Sequence, residues 1–275
     1  MPALPAPERK LTEWLELCRA AVADVDAVLE RMPTRAEREP VVGEGLGGDD
    51  TTAIDRAAEE VILARVRDAA GAIVSEEVGR VGGAGLPLVV VDPIDGSLNA
   101  KRGIPFFSVS IAVAEGETMD DVVFGFVHDF GSREEWTARR GQGACLNGQP
   151  LGAVRPKDEI EILSFEATRT SLVARDAPKV ADLAHRLRIM GSLALSLCHL
   201  AAGRVDAVCS LKPARSVDIA AAQLLCRELG LVVDLFDVEE PFGAAPLDLE
   251  QRSRVVAAGS EEVCRRIAAA LQGEV

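Results

Sequence analysis

The chain has no tyrosine, and aromatic residues make up only 4% of its 275 positions. A core must therefore be assembled from Val, Leu, Ile and Ala, and that length suffices for one large domain or two closely packed halves. Basic residues are also scarce, 30 Lys and Arg against 44 Asp and Glu, for a formal charge of −14. That balance argues against nucleic acid or an anionic membrane as the main partner, and an anionic small ligand would need local cations. The six cysteines (Cys18, Cys145, Cys198, Cys209, Cys226, Cys264) contain no C-x-x-C pair and read as free, largely buried thiols of a reducing compartment. None of the three histidines, His128, His185 and His199, has a partner at ligand spacing, so core or surface roles are expected. No apolar run approaches the ~20 residues of a membrane helix, and Met-Pro-Ala-Leu-Pro carries no basic-then-apolar leader, so a soluble cytoplasmic protein is expected. Neither G-x-x-x-x-G-K-[ST] nor a G-x-G-x-x-G between strand and helix occurs.

What the chain does carry centres on residues 88–99, Leu-Val-Val-Val-Asp-Pro-Ile-Asp-Gly-Ser-Leu-Asn. Residues 88–91 read as a buried strand. Pro93 and the pair Asp95-Gly96 break it, and Ser97 is a good N-cap for a helix beyond. Asp92 and Asp95 then stand at the C-terminal end of a strand, before the positive end of a short helix. Oxygens so placed suit a hard cation and a phosphate together. Asp-Pro and Asp-Gly are also ordinary turn dipeptides, so this stretch decides nothing alone.

Upstream, apolar residues recurring at spacings of three and four predict an amphipathic helix over 8–32, ended by Pro33. Residues 33–48, polar and then glycine-rich, read as a mobile loop. A second helix is expected over 53–70, with Asp and Thr in capping places before it. A calcium loop starting at Asp49 fails because Ile54 occupies its glycine position; Asp49 is left as a cap or a catalytic carboxylate. Ala72-Ile73-Val74 is a short strand running into Ser75-Glu76-Glu77, whose adjacent carboxylates must be solvated or bridged by a cation. Strands over 107–113, 122–128 and 134–138 precede a hairpin at Asn147-Gly148. Beyond Pro156, strands over 160–165, 187–190, 205–211, 231–236 and 254–258 alternate with helices over 192–202, 217–229 and 261–271. The expected organisation is an α+β half over 1–155, with an antiparallel sheet and most of the candidate carboxylates, and an α/β half over 156–275 that supplies Asp218.

Three stretches in order, Ser75-Glu76-Glu77, Asp92-Pro-Ile-Asp95-Gly-Ser97 and Ser216-Val-Asp218-Ile-Ala-Ala-Ala, resemble signatures of the inositol monophosphatase superfamily of magnesium-dependent, lithium-sensitive phosphatases. Those signatures are Gly-Glu-Glu, Asp-Pro-Ile-Asp-Gly-Thr and Trp-Asp-x-Ala-Ala-Gly. The likeness runs through Asn99, Ile104-Pro105-Phe106, the run from Thr137 to Gly148, and Gly191-Ser192. The departures at Ser75, Ser97 and Val217 look most like the archaeal fructose-1,6-bisphosphatase/inositol-1-monophosphatase branch.

The resemblance implies an α+β fold, a layered αβαβα sandwich of the inositol monophosphatase/fructose-1,6-bisphosphatase type, with its active site between the halves. It implies that Glu76, Asp92 and the carbonyl of Ile94 hold one Mg²⁺, and that Asp92, Asp95 and Asp218 hold a second. A weaker third ion at Glu76 is expected, and Mn²⁺ as a substitute. Two ions suit an in-line displacement, one activating the attacking water and the other stabilising the leaving alkoxide. Ser97, hydrogen-bonded to Asp49, would orient the water bound at Glu76. Backbone N–H groups of Gly96 and Ser97, beside Asp95, would receive phosphate oxygens. A homodimer acting on a small phosphorylated metabolite is expected from the same likeness.

In the animal enzymes a glutamate seven residues before the last metal aspartate contacts the sugar ring. Here that place is Leu211, followed by Lys212 and Arg215. With Arg188 ahead of Gly191-Ser192, these cations favour a substrate bearing a second anionic group. The expected function is Mg²⁺-dependent hydrolysis of inositol 1-phosphate or fructose 1,6-bisphosphate. Two alternatives stay open: a phosphatase of 3′-phosphoadenosine-type nucleotides in the same superfamily, and a non-catalytic metabolite-binding regulator. The presence of Asp49, Glu76, Asp92, Asp95 and Asp218 together disfavours the second.

Overall fold

Helix α1 (Leu11–Arg31) turns Trp14, Cys18, Ala21, Val25 and Val28 inward, the stripe a 3.6-residue period produces. The structure, a computed structural model, describes residues 11–46, 50–154, 157, 159–167 and 169–273. Within 33–48 it corrects the expected loop. Thr34 caps a single turn, α2 (Arg35–Arg38), through Glu37, and β1 (Val41–Glu44) pairs antiparallel with β2 (Asp50–Thr52). Val41 and Val42 are both exposed, so no inward–outward alternation marks this strand in the sequence. Helix α3 (Ala53–Val66) packs on α1 and ends short of residue 70.

The strands β3 (Ala72–Ser75), β4 (Gly79–Gly82) and β5 (Leu88–Asp95) form one side of an eight-stranded sheet. Beyond the short helix α4 (Ser97–Arg102) come β6 (Ser108–Ala114), β7 (Val122–Asp129), β8 (Glu135–Arg139), β9 (Gly143–Leu146) and β10 (Gln149–Pro150). The order is β10-β9-β8-β7-β6-β5-β3-β4. Neighbours run antiparallel except for β3, which is parallel to β5. Asn147 and Gly148, with φ of 51° and 74°, make the two-residue turn between β9 and β10, as that dipeptide predicts. β4 was not foreseen, because two of its four residues are glycine and glycine disfavours strands.

A five-stranded sheet follows, from β11 (Ile160–Glu166), β12 (Ala184–Arg188), β13 (Ala207–Ser210), β14 (Val232–Leu235) and β15 (Val255–Ala258), ordered β12-β11-β13-β15-β14. β11 is parallel to β12 and β13, and β15 antiparallel to β13 and β14. β12 lies earlier than the expected 187–190, because its parallel register with β11 begins at Ala184 opposite Ile160. Helices α5 (Thr170–Asp176), α6 (Leu193–Ala201), α7 (Ser216–Glu228) and α8 (Glu261–Gln272) alternate with these strands.

Five layers result. Helices α1 and α3 cover one face of the large sheet, α6 and α7 fill the space between the sheets, and α5 and α8 cover the far face of the small one. Strand β5 serves two of these interfaces by alternation: Leu88 and Val90 pack toward α6 and α7, Val89 and Val91 toward α1 and α3. The histidines stay structural: His199 packs against Phe106 and Trp136, His128 lies edge-on to Phe130, and His185 is exposed.

Helix α7 approaches β7 closely because both surfaces are small, Ala221 meeting Gly125. A Cβ at Gly125 would stand 2.5 Å from the Ala221 carbonyl oxygen, far inside van der Waals contact. Gly125→Ala is therefore expected to push α7 from the sheet and destabilise the protein by about 1–3 kcal/mol. Urea unfolding measures this; an unchanged midpoint would show that the helix shifts without cost.

Candidate active site

Strand β5 does not stop where its aliphatic run ends at residue 91; it continues to Asp95. Pro93 has no N–H to give its neighbour, and the pairing with β6 slips there. Asp92 sits opposite Ser110 and Asp95 opposite Ser108, so three steps on β5 span two on β6, a bulge. Ser108 and Ser110 share a face of β6, so Asp92 and Asp95 share that face too, despite their odd spacing.

The chain then has to reverse, and Gly96 does so at φ +92°. A Cβ at this position would lie 3.1 Å from the carbonyl oxygens of both Gly191 and Phe106. Gly96, not Ser97, is therefore the N-cap of α4. This corrects the expected role of Ser97, because a left-handed cap selects glycine. Ser97 is instead the first helical residue, and its hydroxyl donates to the Ile94 carbonyl oxygen at 2.9 Å.

Two elements from the second half meet this turn. Ser192 caps α6, accepting the N–H of Leu195 at 3.2 Å, and its hydroxyl donates to Asp95 Oδ2 at 2.5 Å. The Ala194 N–H donates to the same oxygen at 2.7 Å. Behind them the buried Glu166 at the end of β11 accepts from the Gly191 N–H at 2.8 Å and the Ser196 hydroxyl at 2.7 Å. Helix α7 contributes Asp218 in its first turn, where Oδ2 accepts the Arg215 N–H at 2.7 Å. The Arg215 guanidinium, 7% exposed, donates through Nη2 to Glu76 Oε1 and to Asp218 Oδ1, the latter at 3.1 Å. Its Nη1 is buried without a partner among the described residues.

These groups face a cleft of ≈ 370 Å³. The expected ligands Glu76, Asp92, Ile94, Asp95 and Asp218 all line it, as do Gly96, Ser97, Gly191, Lys212 and Arg215. Ser192 supports Asp95 from behind rather than lining the wall. Arg188 is exposed, donates to the adjacent Leu187 carbonyl at 2.9 Å, and is not part of the wall. Asp49 lies outside the described residues. The structure also brings to this cleft Glu77, which the sequence pairs with Glu76, and Asp55, Lys101 and Glu166, which no sequence signal assigns to a site. Asp55 Oδ2 accepts from the Thr52 hydroxyl and N–H, while its Oδ1 is buried without a partner among the described residues. The Thr52-x-x-Asp55 spacing is a capping-box signal, and capping accounts for only one of the two oxygens.

The carboxylates crowd one another. Burial raises the pKa of Glu76, with Arg215 opposing and Asp218 adding to the rise. Asp92 is pushed well above the ordinary carboxylate value by burial and then by Glu76, Asp95 and Asp218. Burial lifts Asp95 to about 7 despite its bond from Ser192, and Glu77 to about 7 despite its bond from Thr51. A donor set of carboxylate and carbonyl oxygens under mutual repulsion fits hard divalent cations in kind and in charge. Among the described residues no three of these side chains converge on one point as a finished cage; Arg215 bridges two of them instead.

A carboxyl with a raised folded-state pKa favours the fold in its protonated form. Its contribution is complete below the unfolded value near 3.8 and is lost as pH rises through about 7. Metal-free Asp95→Asn protein should therefore melt above wild type by a margin that widens across that window. Scanning calorimetry in EDTA reads the margin, and one independent of pH would contradict the crowding.

Comparison with known proteins gives one family from residue 11 to residue 275. A family model described as "Inositol monophosphatase family" matches residues 11–275. A fructose-1,6-bisphosphatase/inositol-1-monophosphatase of Methanothermobacter thermautotrophicus is 34% identical over 271 residues, covering 89% of this chain and 95% of that protein. A fructose-1,6-bisphosphatase of Pyrococcus furiosus is 30% identical over 267 residues, covering 96% and 100%. A crystal structure described as an inositol monophosphatase-fructose 1,6 bisphosphatase superposes with a TM-score of 0.82 at 28% identity, covering 94% of this chain and 99% of that one. The five-layer αβαβα sandwich is the fold shared with that crystal structure.

Proposed function

We propose that this chain, which belongs to the inositol monophosphatase family and hydrolyses phosphate monoesters, does so with Mg²⁺ on small sugar or polyol phosphates, fructose 1,6-bisphosphate or inositol 1-phosphate. The observation that carries the proposal is the shared face of Asp92 and Asp95, set by the β5 bulge, in one cleft with Glu76 and Asp218. Support for the substrates comes from the two relatives above, whose names carry those activities, and from Lys101 and Lys212 in the cleft wall.

Glu76, Asp92, the Ile94 carbonyl, Asp95 and Asp218 would hold two ions, with a third at Glu76; Mn²⁺, with similar oxygen preferences, would substitute. The bound cations supply Lewis acidity to the attacking water and to the leaving oxygen. The chain's own part is placement and proton handling. Ser97, its hydroxyl oxygen fixed beside Ile94, orients the water. Asp49 keeps its proposed part as the catalytic carboxylate hydrogen-bonded to Ser97, and Asp55 adds a second carboxylate to the cleft wall. Gly96 and Gly191 let the backbone come close to the transferred phosphate, while Lys101 and Lys212 meet a second anionic group. No histidine lines the cleft, so carboxylates do the acid–base work.

None of the described helices is long and apolar enough to cross a membrane, and all six cysteines are free. A cytoplasmic location and a homodimeric state remain part of the proposal, the second carried by the family likeness alone.

Phosphate release from fructose 1,6-bisphosphate, inositol 1-phosphate and 3′-phosphoadenosine 5′-phosphate, each with Mg²⁺ and with EDTA, tests the proposal. Turnover of the first two that EDTA abolishes is the expected result. Preference for the nucleotide would move the protein to the nucleotide-phosphatase branch, and no Mg²⁺-dependent release from any would refute the proposed chemistry. Lys101→Ala with Lys212→Ala should raise KM about tenfold for the bisphosphate, the scale of one charge-assisted contact, and less for inositol 1-phosphate. Equal effects on both substrates would remove the second-anion subsite.

A further inference from the structure

Arg215 is oddly placed for a residue that only binds substrate. It is almost fully buried, and its guanidinium bridges two proposed metal ligands that come from different sheets' neighbourhoods, Glu76 after β3 and Asp218 in α7. Both carboxylate oxygens of Asp218 are engaged by this one residue, Oδ2 by its backbone N–H and Oδ1 by Nη2. An ion cannot coordinate Glu76 Oε1 or Asp218 Oδ1 through lone pairs already pointed at a guanidinium without weakening those bonds. At the same time Nη1 of the same fork is buried with no acceptor among the described residues, a cost that folded proteins seldom leave standing without a ligand to remove it.

Resting on the metal assignment proposed above, we propose that Arg215 is an exchangeable counter-cation: it and a divalent ion compete for Glu76 and Asp218, and the displaced guanidinium fork turns to the oxygens of the substrate's anionic group. One guanidinium brings a single positive charge to the crowded carboxylates, whereas a divalent ion brings two, so occupancy decides which partner holds the site. The planar fork suits both tasks, since it matches carboxylate and phosphate geometry alike. Exchange also links the ligands thermodynamically. An anion that draws Arg215 away frees two carboxylates for metal, and a metal that displaces Arg215 frees a fork for the anion.

The experiment is Mg²⁺ binding to the full chain by calorimetry, for wild type, Arg215→Gln and Arg215→Lys, with melting temperatures in EDTA and in saturating Mg²⁺. Removing the competitor should tighten Mg²⁺ binding about tenfold or more in Arg215→Gln, since the lost bonds are charge-assisted. The same variant should melt below wild type in EDTA and recover with Mg²⁺. Arg215→Lys keeps the charge but loses the fork, so it too should bind Mg²⁺ more tightly than wild type. Mg²⁺ affinity in Arg215→Gln equal to or weaker than wild type overturns the exchange. Arg215→Lys matching wild type while Arg215→Gln binds more tightly also overturns it, because that pattern is a diffuse charge effect. Should Arg215→Gln fail to fold under both conditions, the Arg215→Lys affinity decides alone. Wild type that binds no Mg²⁺ refutes the proposed function and the exchange together, whereas a Mg²⁺-dependent wild type with unchanged variants refutes only the exchange.

Discussion

Mutual repulsion among carboxylates is the constraint around which this molecule is arranged. Glu76, Asp92, Asp95 and Asp218 share one cleft, three of them with pKa values lifted by burial and by one another, and Arg215 bridging two of them. A fold optimised for stability alone would not gather them, since desolvated like charges weaken the native state. Their cost is offset by local devices: Ser192 and the Ala194 N–H on Asp95, the Ile94 N–H on Asp92, and the Arg215 N–H on Asp218.

The scaffold brings these groups together through departures from regularity. Without the bulge at Pro93, Asp92 and Asp95 would point to opposite faces of β5. Without the left-handed turn at Gly96, α4 could not pass so near Gly191 and Phe106. Two helix N-termini, of α6 and α7, deliver Ser192 and Asp218 from the second half, and the seat of α7 on the large sheet depends on the absent side chain of Gly125. The site is thus a joint between the two sheets, and its geometry is only as firm as their packing.

Much of this was visible in the sequence wherever the signal is local. Periodicity gave α1 and β6, an apolar run gave β5, the helices expected over 192–202, 217–229 and 261–271 stand as α6, α7 and α8, the Asn147-Gly148 dipeptide gave its turn, and ordered motifs brought Glu76, Asp92, Asp95 and Asp218 into one proposal. Exposed valines concealed β1, and glycines concealed β4. Asp55 was hidden in plain view, since one oxygen performs the capping expected of it and only the second one, buried without a partner among the described residues, sets it apart. Arg215 read as a substrate contact because its partner Glu76 lies 139 residues away, and no local pattern encodes such a pairing.

Anomalous scattering from crystals grown with Mn²⁺ tests the central claim most directly, because it locates the ion and the side chains around it in one experiment. Mn²⁺ peaks are expected bounded by Glu76, Asp92, Asp95 and Asp218, with the Arg215 guanidinium no longer spanning Glu76 and Asp218. A cleft without Mn²⁺, its carboxylates apart and Arg215 still bridging, would contradict it.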